Sequence, residues 1–264
     1  MSRRTLANRP AWQVAAELDE PTLSEQDGVR YLHFNSEWVQ GAMRVKCPSE
    51  LVLAYAQQMF SWMLFVRPSV HEPIGILGLG AGSLLRFVLR HTRSQAETVE
   101  RNRQVVAVCR SYFRLPGSAR SVVTLGDARD WVAQPGRVGR YRALMVDLYD
   151  AEGEGPACSG ADFYRNCAQS LSDSGAMSVN LFGRHESFAQ NLEDIQAAFG
   201  GPVFCLPEVD EGNTVVLALK SAVPQVDVRV WLDRARVLES RTGLPARRWV
   251  HSLLPQAVFP VLRP

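Results

Sequence analysis

Asp147 and Asp150 stand three apart at the end of the apolar run Ala143-Leu144-Met145-Val146, just before a glycine-rich stretch from Ala151 to Gly160. Carboxylates so placed can accept a proton from an attacking amine and hold a cationic amine by charge. A strand-end acid followed by an unrelated loop acid is the plain alternative. The glycine-rich stretch reads as a mobile lid over such a site. Upstream, Ile74-Gly75-Ile76-Leu77 leads into Gly78-Leu79-Gly80-Ala81-Gly82-Ser83, an apolar run closing on alternating glycines. Glycines there let the backbone approach a ligand where a Cβ would clash. Two more acids follow. Glu100 comes close to the roughly 20-residue spacing at which an acid receives ribose hydroxyls, and a carboxylate can accept from both hydroxyls at once. Asp127, in Gly126-Asp127-Ala128, can accept from an adenine amino group while a following backbone amide donates to the ring; alternatively it only caps the next helix. A dinucleotide fingerprint requires glycine where this chain has Ser83, and it leaves Asp127 without a role. The set suits an adenosyl nucleoside better.

These residues need a scaffold that brings strand ends together. From Ile74 the pattern alternates strand and helix: strands at 74–79, 96–100, 121–125, 143–147 and 175–181, helices at 83–91, 103–113, 128–133, 161–171 and 185–199. That alternation predicts a parallel sheet flanked by helices. Strands at 203–206 and 214–219, joined by a turn-rich segment, predict a closing antiparallel hairpin. The expected fold is therefore α/β, a Rossmann-like, mostly parallel sheet with a terminal antiparallel hairpin. A small β element over 28–46 precedes it, and residues 1–27 read as weakly ordered. A helix from Ser49, as cap, to about Val66 links the two. The chain divides into 1–68 (β element and linking helix), 69–222 (nucleoside-binding domain) and 223–264 (helical extension). The extension, helical over 228–242, packs on the sheet or on a second subunit; the pattern does not decide which.

Composition sets the outer bounds. The chain has 264 residues, 46% hydrophobic and 21% charged, with a formal net charge of +2. It can bury a core without staples, and its charge gives no reason to expect a nucleic-acid partner. The most apolar segment, Leu51 to Val66, is too short and too polar to span a membrane. Five scattered cysteines have no CxxC pair and no metal-ligand spacing, which fits reduced thiols in a cytoplasm and no bound metal. The five histidines show no pairing, and the six tryptophans read as core or interface anchors.

Taken together, these motifs resemble the spermidine synthase family of polyamine aminopropyltransferases, whose fold is that of class I S-adenosylmethionine-dependent methyltransferases. The likeness covers roughly residues 28 to 220. The family's glycine-rich turn corresponds to Gly78 through Ser83, its ribose acid to Glu100, its Gly-Asp-Ala to Gly126-Asp127-Ala128, and its active-site aspartate motif to Asp147-Leu148-Tyr149-Asp150-Ala151. Gly155-Pro156, the aromatic pair Phe163-Tyr164 and Gln40 also have counterparts. The resemblance implies a cofactor-binding set of Gln40, Gly78, Gly80, Ala81, Gly82, Glu100, Asp127 and Ala128, with Asp147 and Asp150 catalytic and Tyr55, Tyr149, Asp150 and Tyr164 facing the substrate. It implies that an amine attacks decarboxylated S-adenosylmethionine, that methylthioadenosine leaves, and that the protein is a homodimer. Two departures stand out. Ala81 replaces the acid that holds the transferred group's amine, and Tyr55 is only an approximate counterpart of a family tyrosine. They keep open two alternatives, an S-adenosylmethionine-dependent methyltransferase on a small molecule and a non-catalytic binder of adenosyl ligands.

Overall fold

A computed structural model describes residues 20–34, 38–149, 158–221 and 227–258. Asp150, Gly155-Pro156, most of the expected lid and Trp12 lie outside them. Three antiparallel strands come first: β1 (Pro21–Gln26), β2 (Val29–Phe34) and β3 (Gly41–Arg44). The small sheet thus begins within the segment expected to be weakly ordered. Its β1 is almost wholly exposed, so hydrophobic alternation gives no sign of it. The local signal is Asp27-Gly28, both at positive φ (51° and 73°), a two-residue hairpin turn that recruits the residues before it.

The expected helix from Ser49 to Val66 is broken. It becomes a short α1 (Ala54–Gln58) and a 3-10 turn over Ser61–Leu64. Ser49 is not its cap. Leu53 is extended before α1, and the Asp210 carboxylate accepts the Tyr55 N–H from far along the chain (2.6 Å). Met59, Phe60, Trp62 and Leu64 are all buried. A segment buried on nearly every side carries no clear helical period, so the run alone could not locate the break.

The large sheet matches the expected alternation. Its elements are β4 (Ile74–Leu77), α2 (Ser83–His91), β5 (Ala96–Glu100), α3 (Arg103–Tyr112), β6 (Ser121–Leu125), α4 (Ala128–Val132), β7 (Tyr141–Val146), α5 (Ala161–Ser170), β8 (Leu171–Phe182), α6 (Phe188–Ala198), β9 (Val203–Cys205) and β10 (Asn213–Leu219). Strand order is β6-β5-β4-β7-β8-β10-β9. β4 pairs in parallel with both β5 and β7, and β10 runs antiparallel to both β8 and β9. The chain winds outward from β4 to β6, then returns to β7 on the other side of β4. Ligands bind at such a reversal, beyond the carboxyl ends of the strands.

The extension packs on its own chain. In α7 (Val228–Thr242) Trp231 meets Phe65 edge-on at 4.8 Å, and Phe65 stacks on Phe204 at 5.7 Å. Gly243, left-handed at φ 74°, ends α7 and turns the chain into α8 (Ala246–Val258). One hydrophobic cluster joins Leu32 and Met43 of the small sheet, the linking segment, one face of the large sheet and Trp231 and Trp249 of the extension. The small sheet is thereby held against the large one.

Candidate functional site

A cleft of about 370 Å³ opens at the carboxyl edge of the large sheet. Its lining comes from the ends of β4 to β8, from the small sheet and from the β9–β10 connection. Ladder bonds run past the strand ends and hold the loops in register: Gly78 N–H to Val99 O (3.0 Å), Asp147 N–H to Leu77 O (2.9 Å) and Gly126 N–H to Glu100 O (3.0 Å).

The glycine turn is shaped as much by the protein as by any ligand. Gly78 sits at φ 92°, and a Cβ there would fall 2.0 Å from the Asp147 carbonyl oxygen. Gly80, at φ 47°, would bring a Cβ to 2.9 Å from the Gln40 carbonyl. The small sheet presses directly on this turn. Ser83 Oγ donates to the Ala42 carbonyl (2.7 Å), and a Cβ on Gly41 would lie 2.6 Å from Ala81 N. That contact carries Gln40 to the cleft. Ala81 is 2% exposed and, like Gly82, does not line the main cleft. Gly82, at φ 73°, precedes α2. Beneath the turn lies Arg86, whose guanidinium donates to the carbonyls of Pro48, Ala81 and Phe113 (2.6, 2.6 and 2.8 Å); burial lowers it to about 10.

Glu100 and Asp127 reach the cleft with part of their bonding capacity already used. Glu100 Oε2 accepts the Leu79 N–H (3.0 Å) and Oε1 the Asn102 N–H (2.7 Å), tying the glycine turn to the start of α3. A carboxylate has about four acceptor sites, so these bonds leave capacity for a further donor. Burial pushes the Glu100 carboxyl up, and the backbone N–H groups of Asn102 and Leu79 together with neighbouring Arg101 offset part of that shift. Asp127 caps α4, its Oδ1 accepting from Arg129 N (2.7 Å). The capping role and the cleft-lining position therefore coexist, and Ala128 lines the cleft beside it.

Asp147 stands at the reversal of strand order. Tyr55 Oη donates to its Oδ2 (3.2 Å) and Asn180 Nδ2 to its Oδ1 (3.0 Å). Burial pushes the Asp147 carboxyl above its usual range, and the Asn180 and Tyr55 bonds pull part of the way back. The Tyr55 phenol is pushed well up, first by burial and then by the Asp147 charge. Tyr149 also lines the cleft, donating to the Asn180 carbonyl oxygen (3.2 Å). Among the described residues no lysine or arginine pairs with Glu100, Asp127 or Asp147. Glu97, on the same strand as Glu100, differs: Arg140, Tyr141 and Arg137 hold it, and together they outweigh burial and lower its carboxyl.

The structure thus brings together Gln40, Tyr55, Gly78, Gly80, Glu100, Asp127, Ala128, Asp147 and Tyr149. Tyr164 does not join them. It is fully buried, its hydroxyl donating to Asn191 Oδ1 (2.7 Å). Among the described residues no group of three or more His, Cys, Asp or Glu side chains could hold a metal ion, and no helix is long and apolar enough to cross a membrane.

Sequence reasoning missed Asn180, Phe182, Asp210 and Asn213, all in the cleft. Asn180 was legible: the one amide of β8, near its carboxyl end, beside the strand that leads into Asp147. Asp210 needed the topology. β10 runs against its neighbours, so the loop leading into it opens on the edge where the parallel strands end. Asn213 pairs with Phe182 there.

No family model matches the chain. Among curated proteins, the polyamine aminopropyltransferase of Neisseria meningitidis is 31% identical over 240 residues, 89% of each chain. That of Chromobacterium violaceum is 31% identical over 250 residues, covering 93% of this chain and 92% of the other. Solved structures similar in fold include a probable spermidine synthase from Corynebacterium glutamicum (TM-score 0.67, 14% identity, 85% of each chain). A spermidine synthase in complex with the transition-state analogue AdoDATO has a TM-score of 0.60 at 16% identity, over 84% of this chain and 88% of that one. Human methyltransferase-like protein 13 in complex with SAH has a TM-score of 0.63 at 22% identity, over 72% and 92%.

Proposed function

Because the chain belongs to the polyamine aminopropyltransferase family, we propose that it transfers an aminopropyl group from decarboxylated S-adenosylmethionine to a small amine or polyamine, releasing methylthioadenosine. The amine lone pair attacks the carbon bonded to the sulfonium sulfur. The C–S bond breaks with its electron pair going to sulfur, which becomes a neutral thioether. The alkylated nitrogen gives up its proton to Asp147. A sulfonium is already a good leaving group, so the protein's work is to position, desolvate and remove a proton, with no metal required.

The observation that carries this reading is Asp147: a carboxylate at the reversal of strand order, oriented by Tyr55 and Asn180, without a cationic partner among the described residues. Its raised proton affinity suits a base that must take a proton from an ammonium. Glu100 receives the ribose hydroxyls on its unused lone pairs, and Asp127 and Ala128 meet the adenine. Gln40, Gly78 and Gly80 wall the nucleoside, Ala81 and Gly82 shape the turn behind it, and Tyr55 and Tyr149 flank the amine. Asp150, which would hold the amine's charge, is outside the described residues. The same reading makes the protein a homodimer that works in the cytoplasm on small molecules and not on nucleic acid or membranes. Cys47, Cys109, Cys158 and Cys167 are free thiols, which fits a reducing compartment.

Ala81 favours a second reading, methyl transfer from S-adenosylmethionine. By the family resemblance, the buried Ala81 methyl group replaces the acid that would hold an aminopropyl ammonium. Calorimetry decides between them. Aminopropyl transfer predicts tighter binding of decarboxylated S-adenosylmethionine than of S-adenosylmethionine; the reverse order would favour methyl transfer.

A further inference from the structure

We propose that a second groove, at the edge of the large sheet away from the reaction cleft, binds a polyphosphate chain, either free or carried by a nucleoside. The site goes beyond the transfer reading and does not depend on it, since the groove and the cleft have no lining residue in common.

The groove, of about 760 Å³, lies where β4 and β5 begin, between the segment leading into β4, the end of α2 and the second half of α7. That volume suits a small molecule. Five arginines from these three segments line it: Arg67, Arg90, Arg93, Arg234 and Arg241. The whole chain carries a formal charge of only +2, so the concentration is local. Among the described residues no acid pairs with any of the five. Asp233, the one acid in the lining, pairs with Arg236 (3.1 Å), and Glu239 of the same helix is taken by Arg247. Nor do the carbonyls at the end of α2 absorb the charge. Those of Leu89, Thr92 and Ser94 already accept from Arg120 (2.8, 3.0 and 3.2 Å). His91 registers the crowding: burial first, then the Arg90 and Arg241 charges, hold its imidazole below the usual value. Like charges gathered without a counter-charge repel, and a bound anion relieves that repulsion. Arg234 is anchored by its bond to the Leu64 carbonyl (3.1 Å). Guanidinium groups take phosphate oxygens bidentately. A polyphosphate concentrates its charge within one groove, whereas an acidic peptide spreads it over residues about 3.3 Å apart. Beside the arginines, Val70 and Val237 are 58% and 56% exposed, an apolar shelf for a nucleoside.

The probes are tripolyphosphate and ATP, titrated calorimetrically into the full chain in excess methylthioadenosine, so that ATP meets an occupied reaction cleft. Arg93→Gln/Arg241→Gln removes two charges from the groove, and Arg110→Gln/Arg248→Gln removes two exposed charges elsewhere. Wild type should bind one tripolyphosphate per chain. The groove variant should bind it at least about 10-fold more weakly, and the control variant within about twofold of wild type. Tighter binding of ATP identifies the nucleoside-bearing form and equal binding the bare chain; either supports the site. No binding by wild type, equal losses in both double variants, or displacement of methylthioadenosine by tripolyphosphate would overturn it. Tighter binding of a short DNA duplex than of tripolyphosphate would overturn it too. The groove variant should melt no lower than wild type, because it relieves repulsion. A lower melting temperature would show that these arginines already have partners and would remove the premise.

Discussion

Asp147 is asked to be charged in a place that disfavours charge. Burial raises its carboxyl, and the donors Asn180 and Tyr55 limit the rise by stabilising the ionised form. The balance is set by identifiable atoms and so can be moved. Asn180→Ala removes a donor from the ionised state only, so deprotonation then requires a higher pH. The acid limb of kcat/KM should move up in pH, and a limb that stays or moves down would contradict the proposed base. At this scale much of the site was readable. Glu100, Asp127 and Asp147 announce themselves as acids at the ends of apolar runs. Ala81 was equally plain as a departure. Tyr164 misled because its phenol, however suggestive in position, is committed to Asn191 inside the core. Sequence carries residue type and spacing, but not which side of a helix faces a ligand and which faces a neighbouring helix.

At the scale of elements, the glycine turn and the small sheet act as one unit. Gly41 lets β3 approach Ala81, Ser83 bonds back to Ala42, and Gln40 rides on that contact into the cleft. Gly41→Ala would place a methyl group 2.6 Å from a backbone nitrogen that cannot swing away. Overpacking of this kind costs about 1–3 kcal/mol. Thermal melting should show the loss, and calorimetry should show weaker methylthioadenosine binding because the turn itself is displaced. A variant as stable and as tight as wild type would contradict the coupling. Alternation from β4 to β10 was legible because amphipathic helices and buried strands differ in period. The linking segment was not, since Met59, Phe60, Trp62 and Leu64 are buried together and show no period. Nor was the capping of α1 by Asp210, a contact across 155 positions that no local pattern encodes.

For the whole molecule, topology decides which residues meet. Winding outward from β4 and returning to β7 sets the glycine turn beside Asp147 at the centre of the sheet. The inverted final strand then brings the Asp210 loop to the same edge. Sequence periodicity predicted the antiparallel hairpin but not the consequence that its connecting loop would become a wall of the site. The extension's direction was likewise settled by packing, with Trp231 seated on Phe65. The central proposal is that this scaffold holds an adenosyl sulfonium at one end of a cleft and an amine beside Asp147 at the other. Its most direct test is mass spectrometry of wild type and Asp147→Asn supplied with decarboxylated S-adenosylmethionine and 1,4-diaminobutane. Wild type should yield methylthioadenosine and aminopropylated amine in equal amounts. D147N should bind methylthioadenosine normally but turn over at least about 100-fold more slowly. Full activity in D147N, or no aminopropylated product from wild type, would contradict the account.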